Sequence, residues 1–369
     1  MKKSDIFYSI IMTMFLFILP ACTSETPVVI TKEVVIEVTA TPLPTQSTVG
    51  GGNGNLAYLT EIDEKTSNLI LLDLQSNSTQ EVNVDETVRK NPSWSPDGKY
   101  LAFRMAHETG DRIYLLNHQT NQVTELTNLP LHITAFDWSP DGEQIAFLST
   151  QGEITRGGSL YTFNIEDGTY AEIRQFPDNT RVIVGPNVEW ATNNLLYFSV
   201  FAWPEEEGKF GLPKIQLFKT DSIGSYEERL SDSRFDYYFP TVSPNMSQIA
   251  FYSQAEEDYD ILIMDSDGSN YQLLGKGINP IWSKDGSQIA FISNGNPTII
   301  NIATGNVAAE VEMFAARSPS WSPDGEQIVF AGKSKESSYY QIYIVGADGN
   351  NLTLLTNEPY NHDYPIWQP

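Results

Sequence analysis

The stretch Trp94-Ser95-Pro96-Asp97-Gly98, followed two residues later by Leu101-Ala102-Phe103, decides the fold. The same pattern recurs along the chain in full or degenerate copies, so the sequence is built from repeats. Its tryptophan position falls at residues 94, 138, 190, 242 (a valine), 282, 321 and 367. The spacing averages about 45 residues, which is the period of a four-stranded propeller blade.

The last copy of the pattern is divided between two distant parts of the chain. Residues 364–369 (Tyr-Pro-Ile-Trp-Gln-Pro) supply its front half, and residues 55–58 (Asn-Leu-Ala-Tyr) supply its back half. A C-terminal strand that pairs with the N-terminal blade would join the two halves and close a ring. We therefore predict an all-β fold, a seven-bladed β-propeller of four-stranded blades over residues 55–369.

Each residue type in the pattern has a physical role in a blade. Ser-Pro-Asp-Gly is typical of a tight turn, with glycine in the left-handed position. The tryptophan offers an apolar face for packing between blades, worth roughly 2–3 kcal/mol when buried. Five units also carry a proline two residues before the tryptophan position, which suits an edge strand facing a central channel. These prolines are Pro92, Pro240, Pro280, Pro319 and Pro365.

The repeats resemble the TolB-like family of WD-type propellers, whose hallmark is Trp-Ser-Pro-Asp-Gly followed by an aliphatic-Ala-Phe strand. The resemblance covers about residues 55–369 and implies a propeller used for binding, for an envelope function or for gating a peptidase. The sequence departs from TolB itself in having seven units instead of six, no preceding α/β domain and its own anchor signal. We also expect no peptidase of the prolyl-oligopeptidase type, because no hydrolase domain follows the repeats.

The first 54 residues are predicted to be an export signal and a tether. A positively charged start precedes an apolar run over residues 6–19, which is too short to span a bilayer comfortably. The run leads into Leu-Pro-Ala-Cys, which resembles the lipobox of bacterial lipoproteins and ends at Cys22, the single cysteine. We predict a signal peptide over residues 1–21, lipidation of Cys22 and a Thr/Pro/Gly-rich tether over residues 22–54. An ordinary signal peptide with a free cysteine and an uncleaved anchor are the alternatives.

Lipidation would anchor the protein to the cell membrane or the outer membrane, on an extracytoplasmic face. The valine-rich residues 28–38 of the tether fit either an extended stalk or a strand that pairs with a partner.

Composition excludes several kinds of protein. The chain has 22 Lys+Arg against 47 Asp+Glu, a net charge of −25, which argues against nucleic acid as a partner. Hydrophobic residues make up 40%, enough for a large core. A single cysteine allows no intramolecular disulfide and no zinc site built of cysteines. We expect a monomer without a cofactor.

Motifs of catalysis or metal binding are weak. The sequence has no nucleophile elbow, no His-Glu-x-x-His helix and no phosphate loop. His132 and His362 lie in loops that lead into innermost strands, but two histidines are too few for a metal site of the kind held by propeller lyases. We expect both to be surface histidines. His118 is expected to be solvated in an outer turn. Asp265-Ser266-Asp267-Gly268 looks like a truncated calcium loop, but Lys276 replaces its last acid, which favours a hairpin turn.

The loops that lead into the innermost strands form the candidate binding surface, because they open together on one face of a rigid ring. They combine aromatic and charged residues, as interfaces and sugar-binding platforms do. The alternative is that these aromatic residues cover blade edges or cap the channel. The candidate binding residues are Arg234, Phe235, Asp236, Tyr237, Tyr238, Tyr360, His362, Asp363, Tyr364 and Trp203.

Three functions follow from this reasoning. The first is a membrane-anchored, non-catalytic binding platform for a protein or glycan partner. The second is an enzyme acting on an extracellular polysaccharide or ester, with Asp363, Asp236 and His362 as candidate catalytic residues. The third is an accessory protein of envelope assembly or transport that works like TolB.

Overall fold

The structure is a computed structural model. It describes residues 33–34, 40–42 and 54–369, except 64–65, 83, 85–86, 90, 109, 128–130, 152–156, 178–179, 181–186, 192–193, 203–213, 232–234 and 256–257. Cys22, Trp203 and Arg234, with the predicted signal peptide and most of the tether, lie outside the described residues.

The described residues form thirty strands. In chain order they are β1 (Glu33–Val34), β2 (Ala40–Pro42), β3 (Asn55–Glu61), β4 (Ser67–Asp73), β5 (Ser78–Val82), β6 (Ser93–Trp94), β7 (Tyr100–Met105), β8 (Arg112–Asn117), β9 (Val123–Glu125), β10 (Leu131–Trp138), β11 (Gln144–Gln151), β12 (Gly158–Asn164), β13 (Tyr170–Phe176), β14 (Asn187–Trp190), β15 (Leu195–Ala202), β16 (Lys214–Asp221), β17 (Glu227–Arg229), β18 (Tyr238–Val242), β19 (Gln248–Ala255), β20 (Asp258–Asp265), β21 (Gln272–Lys276), β22 (Ile278–Trp282), β23 (Gln288–Ser293), β24 (Asn296–Asn301), β25 (Val307–Glu310), β26 (Ala315–Trp321), β27 (Gln327–Lys333), β28 (Gln341–Gly346), β29 (Thr353–Leu354) and β30 (Asn361–Trp367).

These strands build seven antiparallel sheets of four strands, and the predicted seven-bladed propeller is confirmed. Blades 1 to 6 are β6–β9, β10–β13, β14–β17, β18–β21, β22–β25 and β26–β29, and blade 7 is β30 with β3, β4 and β5. The short strands β1 and β2 pair with the outermost strands of blades 1 and 7, at Glu33 with Thr124 and at Ala40 with Gln80. Among the residues that the structure describes, no helix has the length and apolar character needed to span a membrane.

The ring closes as the divided repeat predicted. β30 pairs with β3 in antiparallel register, from Leu56 opposite Trp367 to Glu61 opposite Asn361. The closing strand also reaches blade 1, since the side chain of Gln368 donates to the carbonyl oxygen of Gly98 at 2.6 Å. Two ends of the chain that are more than 300 residues apart therefore form a single blade.

The buried core lies between neighbouring blades. Leu101, Ala102 and Phe103 of β7 are fully buried, which explains the aliphatic-Ala-Phe pattern of the second strand. Ala102 belongs to one apolar cluster with Trp138 and Phe147 of the next blade. The alternation of strand residues thus places apolar side chains on both faces of each blade, where the adjacent blades cover them.

The motif turns repeat almost unchanged around the ring. In the first copy the Ser95 hydroxyl donates to the Asp97 carboxylate at 2.6 Å, and that carboxylate accepts the backbone N–H of Lys99 at 3.0 Å. These hydrogen bonds lower the pKa of Asp97. Gly98 takes the predicted left-handed conformation, with φ of 69°.

Asp265–Gly268 is a hairpin turn, as predicted, with the Gly268 N–H donating to the Asp265 carbonyl oxygen at 2.9 Å. His118 is not solvated as we expected. Its ring packs edge-on against Trp94, with ring centroids 5.5 Å apart, and lies 3.3 Å from the Asn55 amide nitrogen. The outer turn of blade 1 folds back over the motif tryptophan, which is a long-range contact that local sequence does not encode.

Candidate binding site at the channel mouth

The innermost strands of the seven blades surround a central channel, with their first residues at one end and the motif turns at the other. A cavity of about 980 Å³ lies along the first residues of these strands. We call this region the channel mouth. All five prolines that precede the motif tryptophans line the cavity, so their predicted position on a channel-facing edge is confirmed.

One residue from every blade lines the channel mouth at the same offset, three positions before the tryptophan position. We call this set the mouth ring. Its members are Asn91, Ala135, Asn187, Phe239, Asn279, Ser318 and Tyr364. Each member retains access to solvent, whereas the proline that follows it in five blades is buried.

Bulges in the innermost strands of five blades lie at or beside the mouth ring. In blade 5, for example, Ile278 pairs with Ile292 and Ile281 pairs with Ala290, which leaves one extra residue on the inner strand. Asn279, the ring member there, has a φ of 56°. Left-handed backbone is tolerated by asparagine but is unusual for larger residues, and bulges commonly re-aim a side chain at a site.

Arg317 and Asp363 form an ion pair beside the ring. Arg317 Nε lies 2.9 Å from Asp363 Oδ2, and the guanidinium stacks over the Tyr340 ring at 3.9 Å. Asp363 also accepts hydrogen bonds from the Ser318 hydroxyl and the Tyr364 N–H, each at 2.8 Å. Burial raises the pKa of Asp363 and the Arg317 charge opposes that rise. The two charges therefore balance each other within the wall of the cavity.

A second paired cation lies in blade 1. Arg104 donates to the Ile133 carbonyl oxygen at 2.7 Å, and its guanidinium lies 3.7 Å from the Asp111 carboxylate. His132 Nδ1 accepts the Asp111 backbone N–H at 3.0 Å. Burial lowers the pKa of His132, so its imidazole is neutral at pH 7. Asp111 thus has Arg104, Arg89 at 3.2 Å and His132 as neighbours.

Two carboxyl groups form hydrogen bonds that link blades 2, 3 and 4. Asp137 accepts the backbone N–H of Trp190 at 2.8 Å, and Glu189 accepts the backbone N–H of Val242 at 2.7 Å. Burial raises the pKa of Asp137 to about 7 and that of Glu189 to about 8. Glu189, which lines the cavity, is therefore largely uncharged at pH 7.

Aromatic rings cover the blade 4 side of the channel mouth. Tyr252 stacks with Tyr238 at a centroid distance of 5.2 Å and with Phe239 at 6.0 Å. Tyr259 meets Tyr252 edge-on at 5.3 Å and is 37% exposed. This stack holds the Phe239 ring at the edge of the cavity.

The structure places the predicted binding residues in different environments. Asp363 and Tyr364 line the cavity, and Tyr360 is 41% exposed beside it. Tyr238 and Phe235 are half-buried, the first in the aromatic stack and the second against the blade 4 core.

Three predicted residues support the surface from beneath. Tyr237 is fully buried, and its hydroxyl lies 2.7 Å from that of Tyr271. His362 is 2% exposed, with Thr60 and Glu358 as partners at 2.9 and 3.0 Å. The exposure that we expected for Tyr237 and His362 is wrong, because both rings point into the blade packing.

Asp236 is engaged with the backbone, since its carboxylate accepts the N–H of Ile215 at 2.8 Å. A direct contact role for Asp236, Tyr237 or His362 remains an untested prediction.

Sequence reasoning missed most of the mouth ring, including Asn91, Asn187, Phe239 and Asn279 as a set. A signal was present, because the ring members share one offset from the motif tryptophan and five of them directly precede a proline. Alignment of the repeats on the tryptophan would have found the ring.

The fold and the cavity define a seven-bladed propeller with a concave opening at its channel mouth. The family described as the TolB beta propeller domain matches residues 37–258 and 248–369. The chain therefore belongs to this TolB-type β-propeller family.

Individual relatives are distant. A stretch of 94 residues is 30% identical to an uncharacterized protein of Agrobacterium fabrum, and the match spans 21% of this chain and about a third (32%) of that protein's length. TolB from Acinetobacter baumannii is similar in structure, with a TM-score of 0.54, 18% identity and coverage of 86% of this chain and 68% of that one.

An oligogalacturonate lyase solved in complex with manganese is also similar, with a TM-score of 0.60, 11% identity and coverage of 85% of this chain and 96% of the lyase. At such identities these structures show the fold alone. Among the residues described for this chain, no group of three or more His, Cys, Asp or Glu side chains is placed to hold a metal ion.

Proposed function

We propose that the chain is an extracytoplasmic lipoprotein, anchored through Cys22, whose propeller binds a protein or glycan partner at the channel mouth without catalysing a reaction. The observation that carries this proposal is the cavity of about 980 Å³, to which every blade contributes a residue. Its volume lies at the upper end of the range of about 300–1,000 Å³ for ligand pockets. Concave sites on rigid scaffolds are where binding function concentrates.

The residues that we considered for catalysis are occupied in supporting the fold. Asp363 is paired with Arg317, Asp236 accepts a backbone N–H, and His362 is buried between two partners. A general acid or base must reach the substrate with a free proton site. These contacts favour the binding platform over an enzyme.

Family membership favours a second candidate function, that of a TolB-like accessory protein in envelope assembly or transport. In that case deletion of the chain would make the cell envelope permeable. A deletion strain that keeps normal permeability would contradict this candidate and leave the binding platform intact.

Photo-crosslinking in intact cells tests the binding platform. A photoreactive residue in place of Tyr360 lies beside the channel mouth, and one in place of Tyr226, which is similarly exposed (41% and 42%), lies at the end with the motif turns. We expect one specific adduct from position 360 and none from position 226. Adducts from neither position, or only from position 226, would overturn the proposal.

A further inference from the structure

The mouth ring combines amide, hydroxyl and aromatic side chains in one circle. Three members are asparagines, in blades 1, 3 and 5, and Ser318 adds a hydroxyl. Phe239 and Tyr364 add rings from blades 4 and 7, on opposite sides of the channel. An amide offers donors and acceptors together, as does a sugar hydroxyl, so the two groups match each other.

Left-handed backbone recurs at this ring. Five members have positive φ values that are unusual for residues other than glycine: Asn91 at 63°, Phe239 at 45°, Asn279 at 56°, Ser318 at 52° and Tyr364 at 51°. Such conformations persist where the surrounding structure holds them and they cluster at functional sites. Positive φ at this one offset, repeated in five blades with different side chains, presents a set of groups toward one ligand.

Some of these groups have unused hydrogen-bonding capacity. Within the described residues, no partner accepts from or donates to the side-chain amides of Asn91 and Asn279. Asn187 donates to the Pro240 carbonyl oxygen at 2.9 Å, which leaves its own amide oxygen available. The ring therefore directs both donors and acceptors into the cavity.

At pH 7 the arginines around the wall of the cavity are matched in number by carboxylates. Arg317 lies near both Asp363 and Glu61, and Asp111 is shared by Arg104 and Arg89. His132 and Glu189 are largely uncharged at pH 7, because burial lowers the pKa of the first and raises that of the second. These three arginines and three carboxylates cancel over the wall as a whole, so it offers no net opposite charge to a charged ligand. The chain's net charge of −25 would repel an acidic one.

The prolines disfavour a peptide as the occupant. An extended peptide binds a sheet edge by pairing its backbone with exposed N–H and C=O groups. At the channel edge of five blades a proline directly follows the ring residue, and proline has no N–H to donate. The bulges also interrupt the regular spacing that such pairing needs.

From this geometry we infer that the mouth ring binds the end of a neutral, hydroxyl-rich glycan chain, with the asparagine amides on its hydroxyls and the Phe239 and Tyr364 rings against its C–H faces. This inference rests on the proposed function and specifies its partner. It is a binding assignment only, with no bond made or broken.

A glycan array and a titration test the inference. The full-length protein, held in a detergent without a sugar headgroup, is applied to an array of neutral and acidic glycans. The strongest neutral ligand is then titrated by calorimetry against the wild-type protein and three variants, Asn91→Gly, Asn279→Gly and Asn351→Gly. Asn351 is the matched control, because it has a φ of 60° and lies in an exposed turn at the other end of the molecule.

We expect retention of neutral glycans and not of acidic ones. Asn91→Gly and Asn279→Gly each raise the Kd about tenfold through loss of a buried hydrogen bond, and Asn351→Gly leaves it unchanged. Glycine accepts positive φ, so the melting temperature stays within about 2 °C in all three.

Binding of acidic glycans alone, or equal loss with Asn351→Gly, would overturn the inference. If the array shows no neutral ligand while position 360 crosslinks a protein, the glycan inference fails and the proposed function stands. If neither experiment finds a partner, both fail.

Discussion

The two ends of the propeller differ in how much they repeat. At the end with the motif turns, a serine hydroxyl donates to the Asp or Asn two residues later in five blades, at 2.5–2.8 Å each time. At the channel mouth the seven ring positions carry five residue types. Repetition at one end fixes the fold, and variation at the other end leaves side chains available for a function that the fold does not need.

The largest expected effect on stability comes from removing the strand that joins the two ends of the chain. Deletion of residues 361–369 removes β30 and exposes Leu56 and Tyr58, which are 0% and 2% exposed in the closed ring. We expect loss of cooperative thermal unfolding, measured by calorimetry. Removal of the exposed Pro369 alone is the control and keeps the transition. A normal transition after the nine-residue deletion would contradict closure by β30.

The second effect is a pH dependence of stability, set by the carboxyl groups of Asp137 and Glu189 between blades 2, 3 and 4. The pKa of Glu189 is raised to about 8 in the folded protein, so the native state holds a proton that the unfolded state releases above about pH 4.5. The free energy of unfolding therefore falls as the pH rises from 5 to 9. Glu189→Gln can still accept the Val242 N–H and removes the Glu189 contribution to this fall, a gain of about 2–4 kcal/mol at pH 9. Asp137 keeps its own, smaller contribution in the variant.

Chemical denaturation at pH 5, 7 and 9 measures this effect. Glu143→Gln, at an exposed position in a motif turn, is the matched control and leaves the slope unchanged. A Glu189→Gln protein that loses stability with pH as steeply as the wild type would contradict the buried, protonated carboxyl.

A smaller effect is expected at the repeated end. Asp285 accepts from the Ser283 hydroxyl at 2.7 Å and from the Ser287 N–H at 3.0 Å. Asp285→Ala should cost about 1–2 kcal/mol in the free energy of unfolding, while partner binding stays unchanged. The neighbouring Lys284→Ala serves as the control, with a change under about 0.5 kcal/mol. Weakened binding in Asp285→Ala would mean that the repeated end also contacts the partner.

The smallest effect on stability is expected at the variable end. Asn279→Gly keeps the positive φ and removes an amide that has no described partner, so the free energy of unfolding changes by less than about 0.5 kcal/mol. Partner binding is expected to weaken about tenfold in the same protein. Denaturation and binding measured on one preparation give both values, and a destabilised variant with normal binding would reverse the interpretation.

The fold could be predicted from the sequence because its determinants are local and repeated. The Trp-Ser-Pro-Asp-Gly turns, the buried Leu101-Ala102-Phe103 strand and the divided last repeat each point to the same ring. The five prolines that precede the tryptophan positions also predicted which strands form the channel edge.

The site could be predicted only in part. Asp363 and Tyr364 were found on the correct loop, but bulges shift the inward and outward alternation by one residue, and no sequence periodicity reveals that shift. The burial of His362 and the proton on Glu189 depend on partners in other strands or blades. Such contacts exist only once the ring is assembled.

The most direct test of the central claim is thiol labelling of matched positions in intact cells and in the purified protein. Cys22 is the only cysteine, so Asn279→Cys and Asn351→Cys each add one thiol, with similar φ values of 56° and 60° at opposite ends. We predict that a maleimide labels position 279 much more slowly in cells than in the purified protein, whereas position 351 labels equally in both. Equal labelling of position 279 in both settings, or protection of position 351 instead, would contradict a partner bound at the channel mouth.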